Sequence, residues 1–106
     1  GTPTYARDLA KAILDIITKI DTEKMADFGG IYHYSNEGVT SWYDFAKAIF
    51  RLKEKSIKVL PIETKDYPTA AKRPHFSLLN KVKIKTTFDL EIPYWEDSLK
   101  ESLELL

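Results

Sequence analysis

Tyr43 and Lys47 stand four residues apart, and Arg73 sits just ahead of a proline; these are the positions at which the sequence offers chemistry. On a helix that spacing brings both side chains to one face. An ammonium there lowers a tyrosine's pKa and fits it to serve as the acid of a carbonyl reduction. The pair is cheap to find by chance, however, and no glycine-rich loop accompanies it. The glycines are Gly1, Gly29, Gly30 and Gly38, which assemble neither a dinucleotide fingerprint nor a phosphate-binding P-loop. Tyr43 and Lys47 are therefore expected to be amphipathic helix surface. Arg73 is the better candidate. Pro68 and Pro74 fix their own φ and push Tyr67 and Arg73 toward extended geometry, so the guanidinium is carried on a stiffened backbone and can take two phosphate oxygens at once. The surrounding residues 66–80 have no period, yet they include Tyr67, Phe76, Leu78 and Leu79, anchors that suit an ordered functional loop better than a solvated linker. His33 and His75 are distant in sequence and have no carboxylate at ligand spacing, so no metal site is expected.

Several patterned elements must position that loop. Leu9, Ile13, Ile16, Ile17 and Ile20 make one apolar face of a helix expected to start at a Thr4 cap and run to about residue 20. After the Gly29-Gly30 pair, residues 31–34 are aromatic and β-branched and read as a strand. Ser41-x-x-Asp44 is a capping box for a second helix from Trp42 to Lys53, with Trp42, Phe45, Ala46, Ile49 and Phe50 as its stripe. That stripe predicts a core position for Trp42. Residues 57–62 read as a second strand. Residues 79–88 are ambiguous by periodicity, because Val82-x-Ile84 alternates while Leu79, Val82 and Phe88 suit a short helix. A last helix starts near Pro93 and carries Trp95, Leu99, Leu103 and Leu106 on one side. The order predicts an α/β fold of about four helices and two short strands, parallel because a helix lies between them. Two strands alone are marginal in water, so further structure is expected to complete the sheet.

Composition narrows the class. The 106 residues make one domain's worth of chain, with 43% hydrophobic residues to build a core. Sixteen basic and sixteen acidic residues cancel, which leaves no global field for nucleic acid or an anionic membrane, so any anion must be held locally. Lys81, Lys83 and Lys85 are expected to form a solvated face, and Arg7 to pair with a carboxylate elsewhere. With no cysteine and no apolar run approaching a bilayer span, a cytoplasmic location is expected. The only methionine is Met25, so the chain is expected to be an excised piece of something longer.

Three segments together carry a resemblance: Gly1-Thr2-Pro3-Thr4-Tyr5-Ala6-Arg7-Asp8-Leu9-Ala10, residues 30–46 with Ser41-Trp42-Tyr43-Asp44-Phe45-Ala46, and the loop with Ala71-Lys72-Arg73-Pro74 and Ser77. With Phe88 and Pro93-Tyr94-Trp95 they follow one order along nearly the whole chain. The chain resembles the C-terminal substrate-binding portion of the dTDP-4-dehydrorhamnose reductases, which are extended short-chain dehydrogenases/reductases. The resemblance implies that residues 1–106 are a substrate-binding domain packed on a Rossmann domain outside this sequence. It also implies NADPH- or NADH-dependent reduction of dTDP-4-dehydro-L-rhamnose to dTDP-L-rhamnose, with the catalytic Tyr-x-x-x-Lys and the cofactor loop in the missing part. The fragment by itself is then expected to be inactive and to bind no cofactor and no metal. Expected substrate-binding residues are Arg73, Tyr67, Trp42 and Ser77, and a homodimer is a further expectation. The same resemblance admits a non-catalytic regulatory subunit on this scaffold, or an epimerase or dehydratase acting on another nucleotide sugar. It favours helix for residues 79–88. Where many relatives have glycine after the phenylalanine this chain has Asp89, which tolerates left-handed geometry, so the turn is expected to survive.

Overall fold

The computed structural model describes residues 1–54, 71, 74 and 76–106. Four helices lie among them: α1 (Ala6–Thr22), α2 (Trp42–Leu52), α3 (Val82–Phe88) and α4 (Trp95–Glu104). Residues 57–62, read as the second strand, lie outside the described residues.

The capping box at α2 forms as the sequence predicts. Ser41 is extended, and its hydroxyl oxygen accepts a hydrogen bond from the Asp44 amide at 3.0 Å. Helix α1 starts differently. Its cap is Tyr5, with no side-chain bond, and the Thr4 hydroxyl instead accepts from the Asn36 amide at 3.3 Å. Thr4 was free to cap only if nothing else claimed it, and a buried loop did. At the end of α3, Asp89 takes the left-handed conformation at φ 52°, ψ 49°, and its amide donates to the Lys85 carbonyl. A short polar side chain is among the few that visit this region at modest cost.

Residues 31–34 are a correction. They are not a strand, and no ladder joins them to any described residue. Their side chains do alternate: Ile31 and His33 face solvent, while Tyr32 packs its ring on Phe88 at 5.2 Å and Tyr34 is half-buried. The strand-like pattern is therefore real, but a strand also needs a partner, which is a property of neighbours. The single β contact among the described residues is a parallel bridge between Glu37 and Tyr94. There the Glu37 amide donates to the Pro93 carbonyl at 2.9 Å and the Trp95 amide donates to the Glu37 carbonyl at 3.0 Å. This bridge sets the start of α4 against the loop that leads into α2, and α2 then packs on α4.

The core is small. Among the described residues the buried apolar side chains are Ala12, Ala48, Ile84, Phe88 and Trp95, whereas fourteen large apolar ones are exposed. A domain that closed its own core would reverse that balance.

Candidate functional site

Residues 35–38 bond to the N-terminal segment, α1, the residues at and within α3, and the start of α4. Asn36 is fully buried. Its side-chain oxygen accepts from the Tyr5 amide at 2.7 Å, and its side-chain nitrogen donates to the Asp8 carboxylate at 2.8 Å, to the Pro93 carbonyl at 3.2 Å and to the Ser98 hydroxyl at 3.2 Å. The Ser98 hydroxyl donates to the same Asp8 oxygen. One amide thus joins the N-terminal segment, α1, the Pro93 turn and α4. The sequence carries no signal of this role, because five of Asn36's polar contacts lie 28 or more positions away.

Of the three lysines expected to form a solvated face, Lys83 is exposed and Lys85 half-buried, whereas Lys81, at the N-cap of α3, departs from that expectation. Lys81 is buried, and its ammonium contacts the Ser35 hydroxyl and the Asn36 carbonyl at 3.2 Å each and the Glu37 carboxylate at 3.1 Å. Lys85 reaches the other Glu37 oxygen at 3.0 Å. Lys83 lies over the Tyr32 ring at 4.4 Å from its centroid and donates to the Ile31 carbonyl at 2.9 Å. Burial alone would raise the Glu37 pKa, but hydrogen bonds from Lys85 and Lys81, and their charges, outweigh it and hold the carboxyl below its ordinary value. The arrangement suits a scaffold, each of these charges having a partner in place. Arg7 pairs with Glu101 at 3.6 Å, as its expected structural role requires, though both are largely exposed and the pair is worth little.

Above this polar layer stands a row of aromatic rings. Tyr94 meets Trp95 at 5.7 Å, Trp95 meets Phe45 at 6.1 Å, and Phe45 meets Trp42 edge-on at 5.9 Å. The row runs from the buried Trp95 to Trp42, which is 74% exposed. Trp42 is thus not the core residue its stripe predicted. It occupies the first helical position of α2, where one side of the ring leans on Phe45 and the rest meets solvent. Gly38 makes the close packing beneath possible. At φ +92° it adopts a conformation that suits glycine, and a Cβ there would stand 2.5 Å from Tyr94 and 2.8 Å from Trp95.

The expected substrate-binding residues divide accordingly. Trp42 is an exposed, supported ring suited to stacking on or walling off a planar or sugar group. Ser77 is exposed in the irregular stretch before α3. Arg73 and Tyr67 lie outside the described residues. Tyr43 and Lys47 do meet on α2, but with the ammonium over the ring face at 5.4 Å from the centroid, as two side chains on a helix surface do. No helix among the described residues is long and apolar enough to cross a membrane.

The structure thus presents an exposed, supported aromatic ring on a small helical body held by a buried polar layer. Residues 1–106 match the family model described as the RmlD substrate binding domain, and the chain belongs to that family. It is 41% identical over 106 residues to the dTDP-4-dehydrorhamnose reductase of Aggregatibacter actinomycetemcomitans, a match covering 94% of this chain and 36% of that protein. The crystal structure of a dTDP-4-dehydrorhamnose reductase from Clostridium acetobutylicum superposes with a TM-score of 0.83 at 40% identity, over 99% of this chain and 35% of that one. The enzyme of the same name from Bacillus anthracis, solved in complex with NADP, superposes with a TM-score of 0.81 at 34% identity, over 100% of this chain and 35% of that one. The chain therefore spans about a third of the length of the relatives it matches, and the matched part is their C-terminal portion.

Proposed function

We propose that residues 1–106 form the C-terminal substrate-binding domain of a cytoplasmic dTDP-4-dehydrorhamnose reductase, which reduces dTDP-4-dehydro-L-rhamnose to dTDP-L-rhamnose with NADPH or NADH. The observation that carries this reading is the match of the whole chain to a substrate-binding domain family, with relatives of one name around it. The site supports it: a supported, solvent-facing Trp42 is the kind of surface a nucleotide sugar can lie against. In this reading Arg73 clamps the diphosphate, Tyr67 and Trp42 border the sugar or the thymine, and Ser77 contributes a hydroxyl contact. The four glycines of this sequence do not fit a dinucleotide, so cofactor binding and the catalytic acid belong to the upstream Rossmann domain. The α/β character belongs to the two domains together.

The test is turnover by the full-length protein. Adding dTDP-4-dehydro-L-rhamnose should cause stoichiometric oxidation of NADPH or NADH. Conversion of a nucleotide sugar with no net oxidation would identify an epimerase or dehydratase instead, and no conversion at all would favour a regulatory subunit. In the same protein Arg73→Ala should weaken dTDP binding by about 1.5 to 3 kcal/mol, the range for a charge-assisted contact. An unchanged affinity would make Arg73 a loop-holding residue.

A further inference from the structure

Lys81 follows directly on residues 66–80, and its side chain is buried. The five residues before it are exposed. Phe76, Leu78 and Leu79, which the sequence marks as anchors, are 67%, 50% and 42% exposed, and Ser77 and Asn80 also face solvent. The first buried side chain reached at this end of the loop is therefore an ammonium. An ammonium has three protons to donate. Here the Ser35 hydroxyl and the Asn36 carbonyl each lie 3.2 Å from it, and the Glu37 carboxylate lies at 3.1 Å. A buried charge is costly without such partners, so the lysine is held at one place, whereas apolar contact is non-directional and lets an anchor slide.

The receiving residues are themselves fixed. Asn36 is tied to Asp8 and Ser98, and the Glu37 backbone exchanges hydrogen bonds with Pro93 and Trp95. On the other side of Lys81 the chain turns at once into α3, with the Asn80 side-chain oxygen accepting from the Val82 amide at 2.9 Å. Both the position and the direction of the chain are thus set where the loop ends. We infer that Lys81 is a positioning residue for the nucleotide sugar, which acts by holding residues 76–80, and the Ser77 hydroxyl among them, in place. The inference rests on the reading that residues 66–80 face the substrate. Lys85 has a different place: it is half-buried within α3 and meets the other Glu37 oxygen at 3.0 Å.

The full-length protein tests this with Lys81→Met, which keeps an unbranched stem and removes the charge while Lys85 still pairs with Glu37. Limited chymotrypsin digestion should cut after Phe76, Leu78 or Leu79 roughly tenfold faster, with cleavage elsewhere unchanged, because only the local opening has been made easier. The KM for dTDP-4-dehydro-L-rhamnose should rise roughly tenfold while kcat and the cofactor's KM stay within about twofold, the pattern of lost substrate binding. Lys85→Met should alter neither readout. Should Lys81→Met fail to fold, Glu37→Gln, which removes a charge but keeps an acceptor, should shift both readouts in the same direction by roughly threefold. Unchanged cleavage, or cleavage accelerated along the whole chain, would overturn the inference. So would faster cleavage at these bonds with an unchanged KM, which would leave Lys81 a structural anchor. In a protein with no turnover the Kd for dTDP replaces KM, so failure of the proposed reaction and failure of this inference are read separately.

Discussion

Replacing the fully buried Asn36 with alanine would leave the part-buried Asp8 carboxylate, Tyr5 amide and Pro93 carbonyl each short of a partner. The desolvation of groups so stranded sets the cost, and in the full-length protein Asn36→Ala should lose about 2 to 4 kcal/mol in urea unfolding. Tyr34 offers a second, spectroscopic check. Burial, with the Asp8 carboxylate adding to it, pushes its hydroxyl up from 10.0 to about 12. A group whose folded pKa is raised stabilises the fold fully below its unfolded value and loses that contribution as pH rises through the folded one. Tyrosinate absorbance should therefore show one late-titrating tyrosine, and stability should decline between about pH 10 and 12. Glu37 has the opposite sign, its contribution fading as the solution is acidified below the ordinary carboxylate range.

At the level of elements, what the chain could specify locally it did specify. Ser41-x-x-Asp44 contains both halves of a cap within one turn, and α2 starts there. Ser41→Ala should destabilise the full-length protein by about 1 kcal/mol in chemical denaturation, while Ser41→Asp, which keeps an acceptor, should restore most of it. Asp89 likewise announced a left-handed turn, and α3 ends in one. The elements that misled are those whose outcome lies in a partner. Residues 31–34 have a strand's alternation and no ladder among the described residues, and Thr4 has a cap's chemistry but is held by Asn36. Lys81 looks solvated in sequence because a lysine's burial depends on where a distant carboxylate, here Glu37, is placed.

At the scale of the whole molecule, the chain matches about a third of the length of its relatives, which fits the proposed division between two domains. Among the described residues few apolar side chains are buried and much of α1 is uncovered, and the four glycines form no nucleotide loop. The isolated 106 residues should accordingly show no oxidation of NADPH in the presence of dTDP-4-dehydro-L-rhamnose, whereas the full-length protein should turn over; multiple turnover by the fragment would contradict the division of labour proposed. The sequence by itself determined the helices, the cap, the left-handed turn and the order of motifs that points to the family, because these depend on residues a few positions apart. Whether Trp42 faced the core or solvent, whether Lys81 was buried, and that Asn36 would join distant segments were decided only by the tertiary structure. Each depends on atoms brought together from far along the chain, and burial belongs to that assembly rather than to any residue type.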